Sequence, residues 1–323
     1  MGDTPACFDA TLQDHTLDNL KKLQALSLDD KILYTTVKIQ QYYLKHKGKV
    51  YVSFSGGKDS TVLLHLVRSI YPEVKGVFFD TGLEFPEIRE HVKRFDNIEW
   101  VKPKMSFRKV INEYGYPVIG KMAALWIEGA KKGWKSASLR FQDDDGPFNY
   151  KRYSYLIDAP FKVSNKCCDV LKKKPAHDFY KETGLAPMLG IRAEESTIRR
   201  NQFVKKGDDK TTVYPQLNPL AIWKSKDIDE YIERYNLQLA DVYYQGMTRT
   251  GCVFCMFGIM KDKERFVRLK ATHPQLWEYC MRPFDEGGLG IRQVLEYMHI
   301  PTGCEQKNLN EFTKDEDDDA PIH

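Results

Sequence analysis

Ser55-Gly56-Gly57-Lys58-Asp59-Ser60 follows directly on the apolar run Val50-Tyr51-Val52-Ser53-Phe54, and this junction decides the fold. The apolar run predicts a strand, the two glycines predict a tight turn, and Thr61-Val62-Leu63-Leu64-His65-Leu66-Val67 predicts a helix. Such a turn directs backbone N–H groups and a helix N-terminus at one point, which suits an anion. The glycines let a phosphate approach the backbone, the serines add hydroxyl groups and the lysine adds a positive charge. The sequence therefore predicts a phosphate site here rather than an ordinary strand-to-helix turn.

Strands and helices continue to alternate after this turn. The apolar runs Val74-Lys75-Gly76-Val77-Phe78-Phe79 and Ile98-Glu99-Trp100-Val101 are separated by a helical segment, and residues 186–191 predict a later buried strand. The alternation is typical of an α/β fold with a doubly wound, Rossmann-like parallel sheet. Ligands of such sheets bind at the carboxyl ends of the strands. Asp80-Thr81-Gly82 follows the second strand, so we expect it to share one crevice with the turn at 55–60.

The remaining pattern divides the chain into four predicted segments. They are a helical segment over residues 1–47, an α/β domain over 48–259, a helical appendage over 260–312 and an acidic, disordered tail over 313–323. Within the α/β domain, Ser225 is predicted to cap a helix that extends to Tyr235.

The composition is that of a globular chain with little net charge. The formal charge of the 323 residues is +4, so the whole-chain charge indicates no particular partner. No apolar run approaches the ~20 residues of a membrane span. Residues 1–7 lack the charged and apolar pattern of a secretory signal. We therefore expect a cytoplasmic location and no membrane partner.

Three separated motifs carry a resemblance to a known family. The turn at 55–60 resembles the pyrophosphate loop of the adenine nucleotide alpha hydrolase (PP-loop ATP pyrophosphatase) superfamily, and it lacks the spacing of a Walker A loop. Asp80-Thr81-Gly82 with Phe85-Pro86-Glu87, and Gly190-Ile191-Arg192-Ala193-Glu194-Glu195-Ser196 with Arg199, resemble motifs of the phosphoadenosine phosphosulfate reductase family in that superfamily. The resemblance covers residues 45–260 in the family's order.

The resemblance implies an adenine nucleotide site for ATP and Mg²⁺. The residues it assigns to nucleotide binding are Ser55, Gly56, Gly57, Lys58, Asp59, Ser60, Asp80, Thr81, Gly82, Arg192 and Arg199. Among them, Asp59 is a candidate magnesium ligand, and Arg192 and Arg199 are candidates to clamp phosphate or sulfate. For Arg199 and its neighbour Arg200, a solvated surface pair is the alternative. The candidate catalytic residues are Lys58, Asp59, Arg192 and Cys304.

Four of the seven cysteines form a pattern suited to a metal. Cys252 and Cys255 have the spacing at which one turn supplies two thiolates, and Cys167 and Cys168 are adjacent. Four thiolates suit zinc or an iron–sulfur cluster, but an adjacent pair is unusual for zinc. The pattern resembles that of adenylyl-sulfate reductases, with Lys172 at the family's offset, and this implies a four-iron, four-sulfur cluster. Zinc, or structural cysteines without a metal, are the alternatives.

Two departures from the reductases decide the predicted reaction. The reductases end in a Glu-Cys-Gly-aliphatic-His motif, whereas Cys304 lies between Gly303 and Glu305 with no histidine following closely. The loop at 55–60 is also intact, as in relatives that split ATP into AMP and pyrophosphate. The resemblance therefore implies an ATP pyrophosphatase that adenylates an acceptor for sulfur transfer, with a sulfur donor such as a cysteine desulfurase.

Two other functions remain as alternatives. One is an adenylyl-sulfate or phosphoadenylyl-sulfate reductase that releases sulfite, with Cys304 as nucleophile and a thioredoxin-like donor. The other is a noncatalytic nucleotide-binding sensor. A nucleic acid acceptor is a further prediction, because basic and aromatic residues interleave over residues 128–161. For that stretch we favour the alternative of a solvated lid with partly buried rings.

Overall fold

The structure, a computed structural model, describes residues 16–142, 149–211, 214–247 and 250–304. The predicted tail over residues 313–323 and Cys7 lie outside the described residues. The strands within the described ranges are β1 (Val50–Ser53), β2 (Gly76–Phe79), β3 (Ile98–Val101), β4 (Val118–Ile119), β5 (Ala186–Leu189), β6 (Asp209–Thr211), β7 (Pro215–Leu217) and β8 (Met256–Phe257).

The α-helices of the same ranges flank and follow these strands. They are α1 (Leu17–Ala25), α2 (Leu28–Lys45), α3 (Lys58–Ile70), α4 (Pro86–Lys93), α5 (Phe107–Glu113), α6 (Lys121–Lys131), α7 (Lys135–Ser138), α8 (Lys174–Thr183), α9 (Thr197–Lys206), α10 (Ser225–Arg234), α11 (Asp241–Tyr244), α12 (Arg265–Thr272), α13 (Pro274–Met281) and α14 (Ile291–Tyr297).

The main sheet has the order β3-β2-β1-β5-β7-β6. β1 pairs in parallel with β2 on one side and β5 on the other, while β6 is an antiparallel strand at the edge. The five parallel strands and their flanking helices confirm the predicted α/β class. Because the strands are parallel, the turns after β1, β2 and β5 leave the sheet at the same edge.

The chain divides into two compact units. The first comprises Met1–Pro117 and Ser164–Cys255, and the second comprises Val118–Val163 and Met256–His323. In this grouping, α1 and α2 join the α/β unit, and residues 118–163 join the C-terminal helices. The boundaries of the four segments predicted from the sequence remain a prediction.

Burial of apolar side chains fixes β1 and α3 in the first unit. Val50, Tyr51 and Val52 are almost fully buried, as are Val62 and Leu63 on α3. Burying an apolar side chain of this size contributes about 1.5–3 kcal/mol. The strand and helix on either side of the loop at 55–60 are therefore anchored in the core, and the loop between them is held at both ends.

A buried ion pair fixes α2 against α10. Lys31 Nζ lies 2.7 Å from Asp227 Oδ2, and both side chains are excluded from solvent. The same ammonium donates to the carbonyl oxygen of Gln24 at 3.0 Å, and Asp227 also accepts from the Lys224 N–H at 2.6 Å. Because both charges are compensated by further hydrogen bonds, α10 has a defined position in the first unit.

The second unit has its own small sheet and helices. β4 pairs in parallel with β8, and the buried side chains of this unit include Ile127, Phe266 and Leu295. Cys280 on α13 is fully buried there. In neither unit does any described helix combine the length and the apolar character needed to cross a membrane.

Candidate functional site

The loop between β1 and α3 is closed by its own serines. Gly56 has a φ of +71°, a left-handed conformation that glycine adopts without strain. The Ser55 N–H donates to Ser60 Oγ at 3.2 Å, and the two hydroxyl oxygens are 3.1 Å apart. Ser60 Oγ donates in turn to the carbonyl oxygen of Gly57 at 2.9 Å. These bonds curl the backbone around the first turn of α3, as the sequence predicts.

A pair of hydroxyl groups that the sequence analysis missed lies against this turn. The Lys58 N–H donates to the Tyr243 hydroxyl at 3.1 Å, and that hydroxyl is 2.8 Å from Thr250 Oγ1. A Cβ added at Gly57 would lie 3.3 Å from each of these oxygens. The N-terminus of α3 is thus surrounded by polar groups, and a side chain at residue 57 would crowd the two hydroxyl groups.

The charged groups of the loop each have an ionic partner from a distant part of the chain. Lys58 Nζ lies 2.9 Å from Asp229 Oδ1 on α10. Asp59 Oδ1 accepts from Arg192 Nε at 2.5 Å, which joins the first turn of α3 to the loop after β5. Arg192 also donates to Glu194 at 2.9 Å. The structure therefore brings the predicted residues Lys58, Asp59 and Arg192 to one place.

Arg199 has a different environment from Arg192. Its guanidinium donates to the Glu195 carboxylate, which also accepts from the backbone N–H of Arg192 at 2.9 Å. Arg199 thus contacts the loop after β5 through Glu195, and its predicted role as a phosphate clamp remains a prediction.

The loop after β2 is stabilised by its own carboxylates. Asp80 is buried, with Oδ2 2.7 Å from Arg89 Nη2 and Oδ1 accepting from the Gly82 N–H at 3.1 Å. Thr81 Oγ1 donates to Glu84 Oε1 at 2.6 Å. These contacts give Asp80 and Thr81 a role in the shape of the loop, and Glu84 is a further residue for which the sequence predicted no role.

One large cavity joins the loops at this edge of the sheet. Its volume is about 900 Å³, within the range of ligand pockets. The lining residues used below come from the ends of β1, β2 and β5 and the loops that follow them, from helices α4, α8 and α9 with the turn before α8, from β7 and the residue before it, and from residues 250–251. They are Phe54, Ser55, Phe78, Phe79, Glu84, Ile88, Lys172, Lys173, Lys174, His177, Leu189, Ile191, Gln202, Lys206, Tyr214, Gln216, Thr250 and Gly251.

The four cysteines of the predicted metal site line a second, much smaller cavity. Its volume is about 20 Å³, and Cys167, Cys168, Cys252 and Cys255 all contribute to its wall. The sulfur atoms of the adjacent pair are 4.0 Å apart. No group of three or more His, Cys, Asp or Glu side chains in the described ranges is arranged to hold a metal ion. The structure thus gathers the four thiols around one space without forming a complete coordination site.

The surroundings of the thiols change their acidity. The hydrogen bond with Cys168 raises the pKa of Cys167, and burial and the other cysteines act in the same direction. Burial also raises the pKa of Cys252, while Lys172 opposes that change. Burial lowers the pKa of Lys172. The charge and hydrogen bond of Cys252, together with the charges of Glu84 and Cys168, outweigh burial, so the pKa of Lys172 is raised. Lys172 is therefore a persistent positive charge beside the cysteines.

Lys172 is also the residue that the two cavities share. It lies in a π-helical turn over Asp169–Lys173, which begins directly after Cys168 and continues into α8. Such turns often occur at functional sites. From the other side, the Val253 N–H donates to the carbonyl oxygen of Leu83 at 2.7 Å, so the segment with Cys252 and Cys255 is bonded to the loop after β2.

Cys304 and the basic, aromatic stretch lie in the second unit. Cys304 is half-buried, and its backbone N–H donates to Thr302 Oγ1 at 3.0 Å. In the stretch at 128–161, Lys131 Nζ donates to two backbone carbonyl oxygens, and Arg140 lies over the Trp126 ring. Residues 143–148 of this stretch lie outside the described residues. The described contacts of Lys131 and Arg140 are thus internal to the unit.

Comparison with known proteins identifies a family that this chain matches. Residues 49–128 and 129–257 match the model of the phosphoadenosine phosphosulfate reductase domain. The chain is 24% identical over 215 residues to the adenosine 5'-phosphosulfate reductase of Geobacillus kaustophilus, which covers 66% of this chain and 75% of that protein. Two uncharacterised proteins of Methanocaldococcus jannaschii are 27% and 24% identical over 74% and 80% of this chain. The chain spans about half the length of these two relatives, 42% and 52%.

Two solved structures are similar to the chain at low identity. One is the phosphoadenylyl-sulfate reductase of Candida auris in a phosphate complex, with a TM-score of 0.41, 16% identity, and coverage of 73% of this chain and 95% of that one. The other is the FMN adenylyltransferase of Candida glabrata, with a TM-score of 0.42, 14% identity, and coverage of 75% and 70%.

Proposed function

Because this chain belongs to the phosphoadenosine phosphosulfate reductase family, we propose that it is an ATP pyrophosphatase that adenylates an acceptor for sulfur transfer. The family indicates an enzyme that acts on nucleotides. The specific proposal of an ATP pyrophosphatase rests on the polar groups around the N-terminus of α3, which the loop at 55–60 and the Tyr243 hydroxyl provide and which we term the polar cradle. The polar cradle suits the pyrophosphate end of ATP, which a sulfonucleotide does not have.

The proposed reaction has two steps, followed by a reduction. An oxygen of the acceptor attacks the α-phosphorus of ATP, the new P–O bond forms, and the bond to the bridging oxygen breaks so that pyrophosphate leaves. The outer sulfur of a persulfide, carried by a donor such as a cysteine desulfurase, then bonds to the acceptor atom that carried the activated oxygen. AMP leaves with that oxygen. A thiol reductant cleaves the S–S bond that links donor and acceptor, which leaves one sulfur on the acceptor and oxidises the donor thiol and the reductant thiol to a disulfide. The polar cradle stabilises the charge that develops on pyrophosphate in the first step.

The charged residues of the loop must exchange partners for this reaction. Lys58 would leave Asp229 for a phosphate oxygen, which is a small change because both side chains are partly exposed. Asp59 would leave Arg192 to bind Mg²⁺, since magnesium takes one or two carboxylates together with phosphate oxygens. The released guanidinium of Arg192 would then be available for bidentate contact with phosphate.

Cys167, Cys168, Cys252 and Cys255 would hold the proposed four-iron, four-sulfur cluster. The donor set fits, because four thiols surround one cavity and Lys172 hydrogen-bonds to Cys252. The space of about 20 Å³ has room for about one water molecule, so we expect the cysteines to move apart when a cluster is bound, and zinc remains the smaller alternative. When bound, such a cluster supplies an electron-transfer centre.

Nucleotide binding and cleavage test the proposal in turn. We expect Lys58→Ala to weaken binding of α,β-methylene-ATP and Mg²⁺ by about 10- to 150-fold in calorimetry, the value of a hydrogen bond to a charged group. Lys75→Ala is the matched control, because Lys75 also pairs with an exposed carboxylate, that of Glu99, at 2.8 Å. It lies before β2, at the opposite end of the sheet from the loop. Equal affinities for the two variants would contradict the loop assignment.

The reaction itself is tested with α-labelled ATP and Mg²⁺. We expect labelled AMP and unlabelled pyrophosphate once an acceptor is present, and exchange of labelled pyrophosphate into ATP when the sulfur donor is omitted. Tight binding without either product, for every acceptor offered, would reject the pyrophosphatase and favour a sensor.

A second candidate function is a sulfonucleotide reductase. The gathering of the four cysteines beside Lys172 favours it, as does the similarity to proteins named adenosine 5'-phosphosulfate reductase. Sulfite release from adenosine 5'-phosphosulfate with thioredoxin would support it, and loss of that sulfite in Cys304→Ser would identify the nucleophile. Sulfite without any ATP cleavage would replace the leading proposal.

A further inference from the structure

The large cavity has two sides that differ in chemistry. Because β1 lies between β2 and β5, the loop at 55–60 has a β2 side and a side toward β5 and β7. The β2 side is mainly apolar, because Phe78, Phe79 and Ile88 line it together with the single carboxylate of Glu84. The other side is lined by a set of residues that we term the β7 arm: His177, Gln202, Lys206, Tyr214 and Gln216.

The β7 arm combines a ring platform with amides and a positive charge. The rings of His177 and Tyr214 are stacked, with centroids 5.8 Å apart and planes at 26°. Tyr180 supports the Tyr214 ring from α8, at a centroid distance of 5.5 Å. Gln216 Nε2 donates to Asn218 Oδ1 at 2.9 Å, so the Gln216 amide oxygen is the atom suited to accept from a ligand.

The charge of the cavity favours an anion. Its lining contains Lys172, Lys173, Lys174 and Lys206 against one carboxylate, that of Glu84. Lys173 and Lys174 have helical partners in Asp169 and Asp178, but those carboxylates do not line the cavity. Stacking rings, amides that read base edges and lysines that contact phosphate are together the means by which proteins bind unpaired nucleotides.

We propose that the β7 arm binds a nucleobase with its phosphate, as part of the acceptor, while ATP occupies the loop and the β2 side. The acceptor role rests on the proposed function, but the binding does not require turnover. The volume of about 900 Å³ is near the upper end for one small ligand, which is consistent with two nucleotides at adjacent positions. A single-stranded nucleic acid and a free nucleotide share this chemistry.

Fluorescence anisotropy of a labelled, single-stranded oligonucleotide of about ten nucleotides tests the proposal in the presence of saturating α,β-methylene-ATP and Mg²⁺. We expect Tyr214→Ala to weaken binding by about 5- to 150-fold, the range for loss of one base stack. We expect Lys206→Ala to reduce the slope of log K against log salt by about 0.7, as for one phosphate contact on a single strand. Calorimetry should give an unchanged affinity for the ATP analogue in both variants.

The controls come from outside the cavity. Tyr71→Ala removes one ring of a stacked pair with Tyr43, whose centroids are 3.7 Å apart, and Lys205→Ala removes the lysine that precedes Lys206 but does not line the cavity. Neither should change oligonucleotide binding. Lys206 is at the end of α9, so its variant reports on the arm even where Tyr214→Ala lowers stability. Competition with a mononucleotide then identifies the source, since oligonucleotide much tighter than mononucleotide indicates nucleic acid and equal affinities indicate a free nucleotide.

Several outcomes would overturn the inference. One is a loss of ATP-analogue affinity in Tyr214→Ala with oligonucleotide binding intact, which would make the arm the adenine site of ATP. Another is oligonucleotide binding that responds equally to the variants and their controls. A third is no binding of either nucleotide probe. Absence of ATP cleavage with this binding retained would reject the proposed function instead.

Discussion

Substitution of Gly56 by alanine tests how closely the loop at 55–60 packs on α4. A left-handed conformation costs an alanine about 1–2 kcal/mol relative to glycine, and the φ of Gly56 is +71°. The added Cβ would also lie 2.9 Å from Ile88 Cγ2 and from Val92 Cγ2. Favourable carbon contacts are at about 3.5–4.0 Å, so this is an overlap.

The overlap has no easy relief. Ile88 and Val92 are 2% and 0% exposed, so neither side chain can turn into solvent. Overpacking of a filled core costs about 1–3 kcal/mol, and the sum with the backbone cost predicts a loss of about 2–5 kcal/mol of unfolding free energy.

Gly82→Ala is the matched control. Gly82 has a φ of +75°, and no atom outside its chain neighbours lies within 4 Å of the position of an added Cβ. It should lose only the backbone cost of about 1–2 kcal/mol. Urea unfolding of both variants, followed by circular dichroism, measures the difference, which we expect to be about 1–3 kcal/mol. Equal losses would refute the packing of the loop against α4, and no loss in either would refute the left-handed conformations.

Three further predictions concern the loop and the core. Alanine can adopt the backbone conformation of Gly57 (φ −84°), but its Cβ would lie 3.3 Å from the Tyr243 hydroxyl. Calorimetry of Gly57→Ala should therefore show binding of the ATP analogue weakened by about tenfold or more, with stability nearly unchanged. An unaltered affinity would show that the phosphate binds elsewhere. Burial lowers the pKa of His91 from 6.5 to about 4. Between these pH values the unfolded chain binds more protons than the native state, so the unfolding free energy should fall by up to about 3 kcal/mol as the pH drops from 6.5 to 4. Urea titrations across that window should show a shallower loss for His91→Phe, and parallel curves would contradict the buried, neutral imidazole. Lys31→Met should cost about 3–5 kcal/mol because it leaves the Asp227 carboxylate buried without its cation, and a loss under 1 kcal/mol, as for an exposed pair, would show that the pair is solvated.

The parts of the fold and site that the sequence predicted are those with local causes. The strand, glycine turn and helix around Ser55–Ser60 depend on neighbouring residues, and so does the position of Asp80 at the end of β2. Arg192 was identified by its motif, and in the structure its Nε donates to Asp59 Oδ1.

The missed residues reach the site through long-range packing. Tyr243 and Asp229 lie 185 and 171 positions after Lys58, and neither has a local pattern that indicates a ligand site. Ser225 was wrongly predicted as an N-cap. Lys224 has that position, and Ser225 bonds through its N–H and hydroxyl to Glu194, so a carboxylate from another segment displaced the local cap.

The π-helical turn at Asp169–Lys173 has a consequence for variation in chain length. Such a turn is an α-helix with one residue inserted, and here it separates Cys168 from α8. Deletion of a single residue would let α8 begin at the cysteines as one regular helix, and would rotate the thiols by about 100° relative to His177. The rotation of the cysteines about the helix axis, relative to His177 of the β7 arm, therefore depends on one inserted residue. Deletion of Asp169 or Val170, which line neither cavity, would therefore change the orientation of the cysteine cavity relative to the β7 arm while every lining residue is kept.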